Sequence, residues 1–313
     1  MLTKNNLNIK ELKSMSNAIR ALSMDAVEKA NSGHPGMPLG MSDVATILYK
    51  YFLNFNPENP QWPNRDRFVL SAGHGSMLLY SLLYLTGYKK ITIEQIKQFR
   101  QLKSKTPGHP EYDIESGIET TTGPLGQGLA NSTGMAIAEE HLSSVFGKNL
   151  INHHTYAVVG DGCLMEGVSH EAISLAGHLK LNKLIVLFDD NNISIDGPTN
   201  LSTSENHLLR FKACNWDVQK INGHNFKQIY NAINKAKKTK KPSLIACKTI
   251  IGYGSPNKQG KNSSHGAALG PDEVEKTKKK INWLYPPFVI PKEILKMWKN
   301  IGIKGNNENK EFS

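Results

Sequence analysis

An aspartate between two glycines, Gly160-Asp161-Gly162, and an asparagine pair, Asn191 and Asn192, have the residue types of a cation and phosphate site. Glycines let the backbone approach a phosphate closely, and a helix beginning there offers free N–H groups. Asp161 supplies a carboxylate oxygen and Asn191 an amide oxygen, both of which suit Mg²⁺ or Ca²⁺. The alternative interpretation is a turn aspartate and an asparagine that hydrogen-bonds its own backbone.

Short apolar runs rich in β-branched residues precede both motifs and two further polar turns. They cover residues 67–71 before AGHG, 154–159 before GDG, 184–188 before DDNN and 243–247 before KTIIGYG. Their polar residues do not alternate, as is typical of strands buried on both faces of a parallel sheet. Helical patterns lie between them, at residues 126–146, 167–179 and 226–238. This order predicts an α/β fold, with a doubly wound, mostly parallel sheet and helices on both faces.

The polar turns should lie together, because ligands of an open α/β sheet bind beyond the carboxyl ends of its strands. Residues 163–190 separate the two motifs, and one helix plus one strand accounts for that spacing. Asp161 and Asn191 are therefore expected on neighbouring strand ends. One carboxylate, one amide, one backbone carbonyl and two phosphate oxygens would nearly complete the octahedral shell of Mg²⁺.

The overall composition excludes several classes of protein. The 313 residues include 38 Lys and Arg against 27 Asp and Glu, a net charge of +11. The lysine runs at residues 235–241 and 276–280 lack the interleaved aromatics of RNA-binding modules, so no nucleic-acid partner is predicted. No apolar run approaches the ~18 residues of a membrane span. Three scattered cysteines and an N-terminus without an apolar targeting segment predict a cytoplasmic protein with no membrane partner.

Eight segments between residues 17 and 270 resemble the transketolase family, in the family's order. They are KANSGHPGMPLG (29–40), SAGHGSMLLYSLL (71–83), SKTPGHPE (104–111), TTGPLGQGLANSTGMA (121–136), GDGCLMEGVSHEAISLAGHLKL (160–181), DDNNISIDG (189–197), KTIIGYGS (248–255) and SHGAALG (264–270). The resemblance implies the thiamine-diphosphate-binding fold, with the diphosphate domain at residues 1–282 and a linker or tail at 283–313.

The cofactors implied by the resemblance are thiamine diphosphate and a divalent cation, Mg²⁺ or alternatively Ca²⁺ or Mn²⁺. Asp161, Asn191 and the carbonyl of Ile193 would bind the metal. The remaining cofactor contacts carried over from the family are His74, Gly123, Leu125, Gly162, Ile195 and His265.

Catalytic roles also follow from the resemblance. His34 and His265 would move protons at the sugar, and His109 would orient its oxygens, since imidazole can both take and give a proton near neutral pH. Glu166 resembles the acid of a carboxylate network between paired active sites. Histidines outside the motifs are expected at the surface, namely His141, His153, His154, His207 and His224.

The family's reaction moves a two-carbon ketol unit from a ketose phosphate to an aldose phosphate, in the pentose phosphate pathway. The resemblance implies only half an active site here, because the family's pyrimidine-site glutamate and phosphate-binding arginines come from further, C-terminal domains. The chain is therefore expected to be inactive alone and to form a homo- or hetero-oligomer, such as a dimer, with a subunit or domains that carry that glutamate. One departure from the family is the loop 265–270, HGAALG, which lacks the usual proline.

Two other interpretations remain open. The chain is alternatively part of another thiamine-diphosphate-dependent ketol or acyl transferase, such as a dihydroxyacetone synthase or a deoxyxylulose-phosphate synthase. It is otherwise a non-catalytic subunit that keeps the cofactor site for assembly.

Overall fold

A parallel β-sheet forms the centre of the molecule. The computed structural model describes the backbone of residues 7–312 and the side chains of residues 7–305. The strands are β1 (Arg67–Leu70), β2 (Thr155–Gly160), β3 (Leu184–Asp190), β4 (Asp217–Asn222) and β5 (Ser243–Lys248). They lie in the order β1-β2-β3-β5-β4, and every pairing is parallel. The predicted α/β class with a parallel sheet is confirmed.

The helices surround this sheet. They are α1 (Ile9–Ala30), α2 (Gly36–Tyr51), α3 (Met77–Thr86), α4 (Ile93–Lys97), α5 (Gln127–Phe146), α6 (Asp161–Met165), α7 (Gly167–His178), α8 (His207–Ala213), α9 (Phe226–Ala236), α10 (Pro271–Lys280) and α11 (Lys292–Phe312). α5 packs against α7, whereas α9 packs against α2. The connection from β4 back to β5 runs against the direction of the earlier connections, so right-handed crossovers place α9 on the opposite face from α7.

The four predicted strands match β1, β2, β3 and β5 to within two residues at each end. All seven residues of β3 are buried, which explains the apolar run over its first five residues. β4 is a fifth strand that the sequence does not predict. It lies at the sheet edge, is only partly buried, and its sequence DVQKIN carries more polar than apolar residues.

The predicted linker or tail from residue 283 is instead folded against the rest of the chain. Trp283 and Trp298 are buried, and Trp298 Nε1 donates a hydrogen bond of 3.2 Å to the carbonyl of Met15 in α1. α11 also packs against α3. Gly302 and Gly305 allow α11 to approach backbone carbonyls closely, because a Cβ atom at either position would clash with them. A division into domains at residue 282 stays a prediction.

None of the helices in the described part of the chain is both long enough and apolar enough to cross a membrane.

Candidate active site

The loops that follow the strands converge on one cavity of about 300 Å³ at the carboxyl edge of the sheet. The loops after β1, β2, β3 and β5 all contribute to its wall, as the sequence predicts. The lining residues are His34, Met37, Ala72, His74, Gly123, Leu125, Gly160, Asp161, Gly162, Cys163, Asp189, Asn191, Ile193, Ser194, Ile195, Ile251 and His265. The chain therefore brings most of the predicted site residues together in a single concave pocket.

Asp161 lies at the junction of β2 and α6 and is only 8% exposed. Burial raises the pKa of its carboxyl to about 7, and the neighbouring carboxylates of Asp189 and Asp190 raise it further. Burial likewise raises the pKa of Asp189 to about 6, although Thr249 and Asn191 both donate hydrogen bonds to it. Three carboxyl groups crowded in this way favour a bound cation, which would hold Asp161 in its ionised form.

Asn191 is held with its amide oxygen in a fixed direction. Its Nδ2 donates to Asp189 Oδ2 at 2.8 Å, and its Oδ1 accepts from the backbone N–H of Ile193 at 2.8 Å. An amide oxygen has two lone pairs, so Oδ1 keeps one for a further partner. Asn192, with φ of +62°, turns the chain so that both Asn191 and Ile193 border the cavity with Asp161.

No group of three or more His, Cys, Asp or Glu side chains within the described residues is arranged to hold a metal ion. A cation at Asp161 would therefore take its other ligands from an amide, a backbone carbonyl and a bound anion. Asn191 and Ile193 supply the first two kinds, and all three are hard oxygen donors of the sort that Mg²⁺ prefers. The donor set fits a divalent cation shared with a diphosphate.

Three imidazole rings lie close together in the wall of the same cavity. The ring centroids of His34 and His74 are 5.2 Å apart, those of His34 and His265 are 5.8 Å apart, and His74 stacks on His265 at 5.1 Å. The Nδ1 atom of His265 is buried and has no hydrogen-bond partner among the residues described. That orphan nitrogen is free for a ligand in the cavity, so the cluster fits a polar organic molecule.

Burial and mutual repulsion keep these histidines neutral. Burial lowers the pKa of His34 to about 4 and that of His74 to about 3, and the other rings of the cluster lower both pKa values further. Burial also lowers the pKa of His265. A bound diphosphate would reverse part of this effect, because a nearby negative charge favours the protonated ring.

Arg100 fixes the tautomer of His34. Its Nη2 atom lies 3.2 Å from His34 Nδ1, and its Nη1 donates to Ser32 at 2.9 Å. A guanidinium can only donate, so His34 Nδ1 accepts and the ring proton resides on Nε2. His34 consequently offers an N–H donor from Nε2.

Close approaches of backbone and side chains shape the cavity at Gly123 and Gly162. Gly123 has φ of +142°, and a Cβ atom there would lie 3.2 Å from His109. A Cβ atom on Gly162 would lie 2.9 Å from Leu125 Cδ1. Ile195 is 62% exposed and borders the opening, so its side chain is available to a bound molecule. Larger residues at the two glycines would narrow the pocket.

Two predicted residues do not line the cavity. His109 is exposed and sits beside Gly123, where burial and then Arg100 lower its pKa. Glu166 is exposed at the N-cap position of α7 and contacts the Gly126 turn. Their roles in sugar binding and in a carboxylate network stay predictions.

The expectation that the remaining histidines lie at the surface is wrong for most of them. His141 is exposed, but His153 and His207 are buried, and His154 and His224 are partly buried. Each of the four buried or partly buried histidines has a polar or charged neighbour that a local sequence pattern does not reveal. Arg100 was missed for the same reason, although it stands only a few residues before the SKTPGHPE segment.

Comparison with known proteins identifies the family. The model described as "Transketolase, thiamine diphosphate binding domain" matches residues 11–313. A transketolase of Sinorhizobium medicae is 57% identical over 293 residues, which cover 94% of this chain and 42% of the relative. Transketolase 1 of Escherichia coli is 57% identical over 291 residues, which cover 91% of this chain and 44% of the relative.

Solved structures give the same result. A transketolase from Campylobacter jejuni superposes with a TM-score of 0.95 at 46% identity, covering 98% of this chain and 48% of that one. A transketolase from Pichia stipitis in complex with sedoheptulose 7-phosphate superposes with a TM-score of 0.91 at 43% identity, covering 96% of this chain and 45% of that one. The chain spans less than half the length of these relatives.

Proposed function

Because the chain belongs to the transketolase family as a thiamine diphosphate binding domain, we propose that it is the diphosphate-binding part of a transketolase. The reaction would transfer a two-carbon ketol unit from a ketose phosphate to an aldose phosphate. The observation that carries this proposal is the convergence of Asp161, Asn191 and the histidine cluster on one cavity at the sheet edge.

Asp161, Asn191 and the carbonyl of Ile193 would hold a divalent cation, Mg²⁺ or alternatively Ca²⁺ or Mn²⁺, and with it the diphosphate. His74 and Gly162 line the same cavity. Gly123, Leu125 and Ile195 would hold the rings of the cofactor. When bound, thiamine diphosphate supplies the electron sink for cleavage of the C–C bond.

His34 and His265 would serve the sugar. His34 is neutral at pH 7 and carries its proton on Nε2, so it can donate a hydrogen bond to a sugar oxygen. The unpartnered Nδ1 of His265 can accept or donate a proton at the same site. His109 would orient the donor oxygens from the rim, and the cavity walls would exclude water.

The active site would be completed by another polypeptide or by further domains. The relatives are more than twice as long as this chain, and the missing part would supply the glutamate against the pyrimidine ring and the arginines for substrate phosphate. Glu166 and the exposed apolar residues Val168 and Leu175 of α7 and Leu179 just after it support a homo- or hetero-oligomeric assembly, for example a dimer. We propose further that the protein is cytoplasmic and acts in the pentose phosphate pathway.

Calorimetric titration of the full chain with thiamine diphosphate and Mg²⁺ tests the cofactor site. We expect heat of binding for the natural chain and at least about a tenfold weaker affinity for Asp161→Asn, since a metal ligand is lost. Asp272→Asn, an exposed position on α10, is the matched control and should bind normally. Equal affinities of all three proteins would refute the proposed metal site.

The activity itself is tested with xylulose 5-phosphate and ribose 5-phosphate. We expect negligible transfer by the chain alone and restored transfer on mixing with a polypeptide that carries the C-terminal domains of a transketolase. Turnover by the purified single chain would contradict the half-site proposal. Restored activity only with other donors and acceptors would favour a different thiamine-dependent transferase.

A further inference from the structure

A second cavity, of about 600 Å³, borders Asp161 and is not used by the proposed reaction. Residues of the loop 198–206 and the first turn of α8 form much of its wall. Asp161 lines both cavities. The carboxylate proposed as a metal ligand can therefore be contacted from two sides.

His207 is the residue of this second cavity that approaches Asp161. It is the first residue of α8, whose N-terminus is capped by the Asn206 side chain, and it is 6% exposed. Its Nδ1 atom lies 3.2 Å from Arg210 Nη2, and the same Nη2 donates to the carbonyl of Leu164 at 2.8 Å. The Glu205 carboxylate lies farther from this nitrogen, with Oε2 at 3.5 Å. Because arginine only donates and is the nearer partner, His207 Nδ1 accepts and the ring proton resides on Nε2.

The N–H group at His207 Nε2 has no hydrogen-bond partner within the described part of the chain. The Oδ1 atom of Asp161 lies 3.9 Å from this nitrogen, just beyond direct hydrogen-bond distance. A small movement of either side chain, or one bridging water molecule, would complete a hydrogen bond between this buried donor and the carboxylate. The opposite tautomer would turn a lone pair toward the carboxylate and is disfavoured.

The chemistry of a neutral imidazole suits this position. The Oδ1 atom of Asp161 is a hydrogen-bond acceptor, and an N–H donor that faces it would stabilise the ionised carboxylate. A lysine or arginine beside Asp161 would do so but would repel a divalent cation. Since Arg210 donates to Nδ1, the His207 ring carries its single proton on Nε2 and adds no positive charge.

We propose that His207 is a positioning residue for the divalent cation at Asp161. Its Nε2–H donates to Asp161 Oδ1, directly after a slight rotation of the carboxylate or through one water molecule. The carboxylate is thereby held in one orientation with its second oxygen left for the cation. The inference rests on the proposed function, because it assumes that Asp161 binds the metal.

Mn²⁺ is the probe, and its binding to the full chain in the presence of thiamine diphosphate is followed by the loss of the free-ion signal in electron paramagnetic resonance. We expect His207→Leu to weaken Mn²⁺ binding about tenfold, as removal of a group that orients a metal ligand does. His207→Gln places an amide N–H near the position of Nε2 and should stay within about threefold of the natural chain. His207→Asn places its amide near Nδ1 and should behave like His207→Leu.

His141→Leu removes an exposed histidine of α5 and is the matched control, with unchanged affinity expected. Natural affinity in His207→Leu, together with weak binding in Asp161→Asn, would overturn the role of His207 alone. Absence of Mn²⁺ binding by the natural chain, or normal binding by Asp161→Asn, would overturn the metal site as well. If circular dichroism shows that the leucine variant is unfolded, equal affinities of the glutamine and asparagine variants would overturn the proposal.

Discussion

The protonation of individual side chains in the cavity follows first from burial and then from crowding of like groups. Carboxyl groups in its wall have raised pKa values, and histidines in the same wall have lowered ones. Each group is thus held closer to its neutral form, which costs less in a buried site than an unpaired charge. A bound anion together with a divalent cation would favour the charged forms of both sets of groups, because a nearby opposite charge stabilises an ionised side chain.

His34 provides a prediction at this scale. Its pKa is lowered to about 4, chiefly by burial and next by His265 and Arg100, and Arg100 fixes the proton on Nε2. Nitrogen-detected nuclear magnetic resonance should show a single Nε2–H tautomer at pH 6 and a titration midpoint near pH 4. Arg100→Gln should raise the midpoint and mix the tautomers. A midpoint near the ordinary 6.5 in the natural chain would contradict the prediction, and His34→Asn assigns the signal.

The same pKa carries a consequence for stability. Between about pH 4 and 6.5 the folded His34 binds fewer protons than the unfolded one, so its contribution to stability is lost as the pH falls through that range. Urea unfolding at pH 7 and pH 5 should therefore show that His34→Asn loses less stability on acidification than the natural chain. Parallel losses in the two proteins would contradict this sign.

The sequence located some of these residues and not others for a physical reason. His34, His74 and His265 lie in glycine-flanked loops within recognisable motifs, so their neighbourhood along the chain predicts their place in the cavity. Arg100 contacts His34, which lies 66 residues away in the sequence. His207 approaches Asp161, which lies 46 residues away. Only the folded chain reveals such pairs.

At the scale of elements, the position of α7 depends on a glycine where its backbone meets the turn that follows α8. A Cβ atom on Gly177, near the end of α7, would lie 1.7 Å from the carbonyl oxygen of Cys214. α7 follows α6, the short helix that begins at Asp161, so the position of α7 also affects this wall of the cavity. In α5, by contrast, a Cβ atom on Gly134 would meet nothing within 4 Å.

These two glycines form a matched pair for a stability measurement. Gly177→Ala should destabilise the fold by about 2–3 kcal/mol, because α7 or the Cys214 turn must shift to admit the methyl group. Gly134→Ala should stabilise it by about 0.5–1 kcal/mol, because the unfolded chain loses freedom and no contact is disturbed. Urea unfolding at equal protein concentration measures both. A Gly177→Ala variant as stable as the natural chain would show that the close approach is absent.

Burial determines which elements the sequence could predict. β3 is buried along its whole length, and its apolar run matches the predicted strand at its start. β4 lies at the edge of the sheet, and its positions are partly exposed. Its residue types therefore suit solvent and local neighbours and do not form the apolar pattern of a buried strand. The edge strand was therefore missed, although it pairs in register with β5 along its full length.

For the molecule as a whole, the two ends of the described chain are held together. α11 packs against α1 and α3, so residues far beyond the diphosphate motifs stabilise the same core. Gly302 and Gly305 sit against the carbonyls of Thr86 and Phe55, where a Cβ atom would lie 2.3 Å and 1.6 Å from the oxygen. The glycines and lysines of this segment suggest a linker when the sequence is considered alone. In the folded chain the glycines permit close packing, and the lysines between residues 292 and 304 lie toward the solvent-facing side of α11.

Trp298 decides whether this segment is part of the folded unit. Its side chain is fully buried, and its Nε1 donates to the Met15 carbonyl, so Trp298→Ala removes a large apolar group and leaves an acceptor unsatisfied. We expect a loss of about 3–5 kcal/mol in the free energy of unfolding, measured with urea and followed by circular dichroism. Leu284→Ala, at a side chain that is 77% exposed, is the control and should change stability by less than about 0.5 kcal/mol.

If Trp298→Ala were as stable as that control, α11 would be an appendage, and a chain ending at residue 282 would fold equally well. If the large loss is found, α11 stabilises α1 and α3 and is required for the cavity at the sheet edge to form. Any fragment meant to bind the cofactor then has to extend through α11.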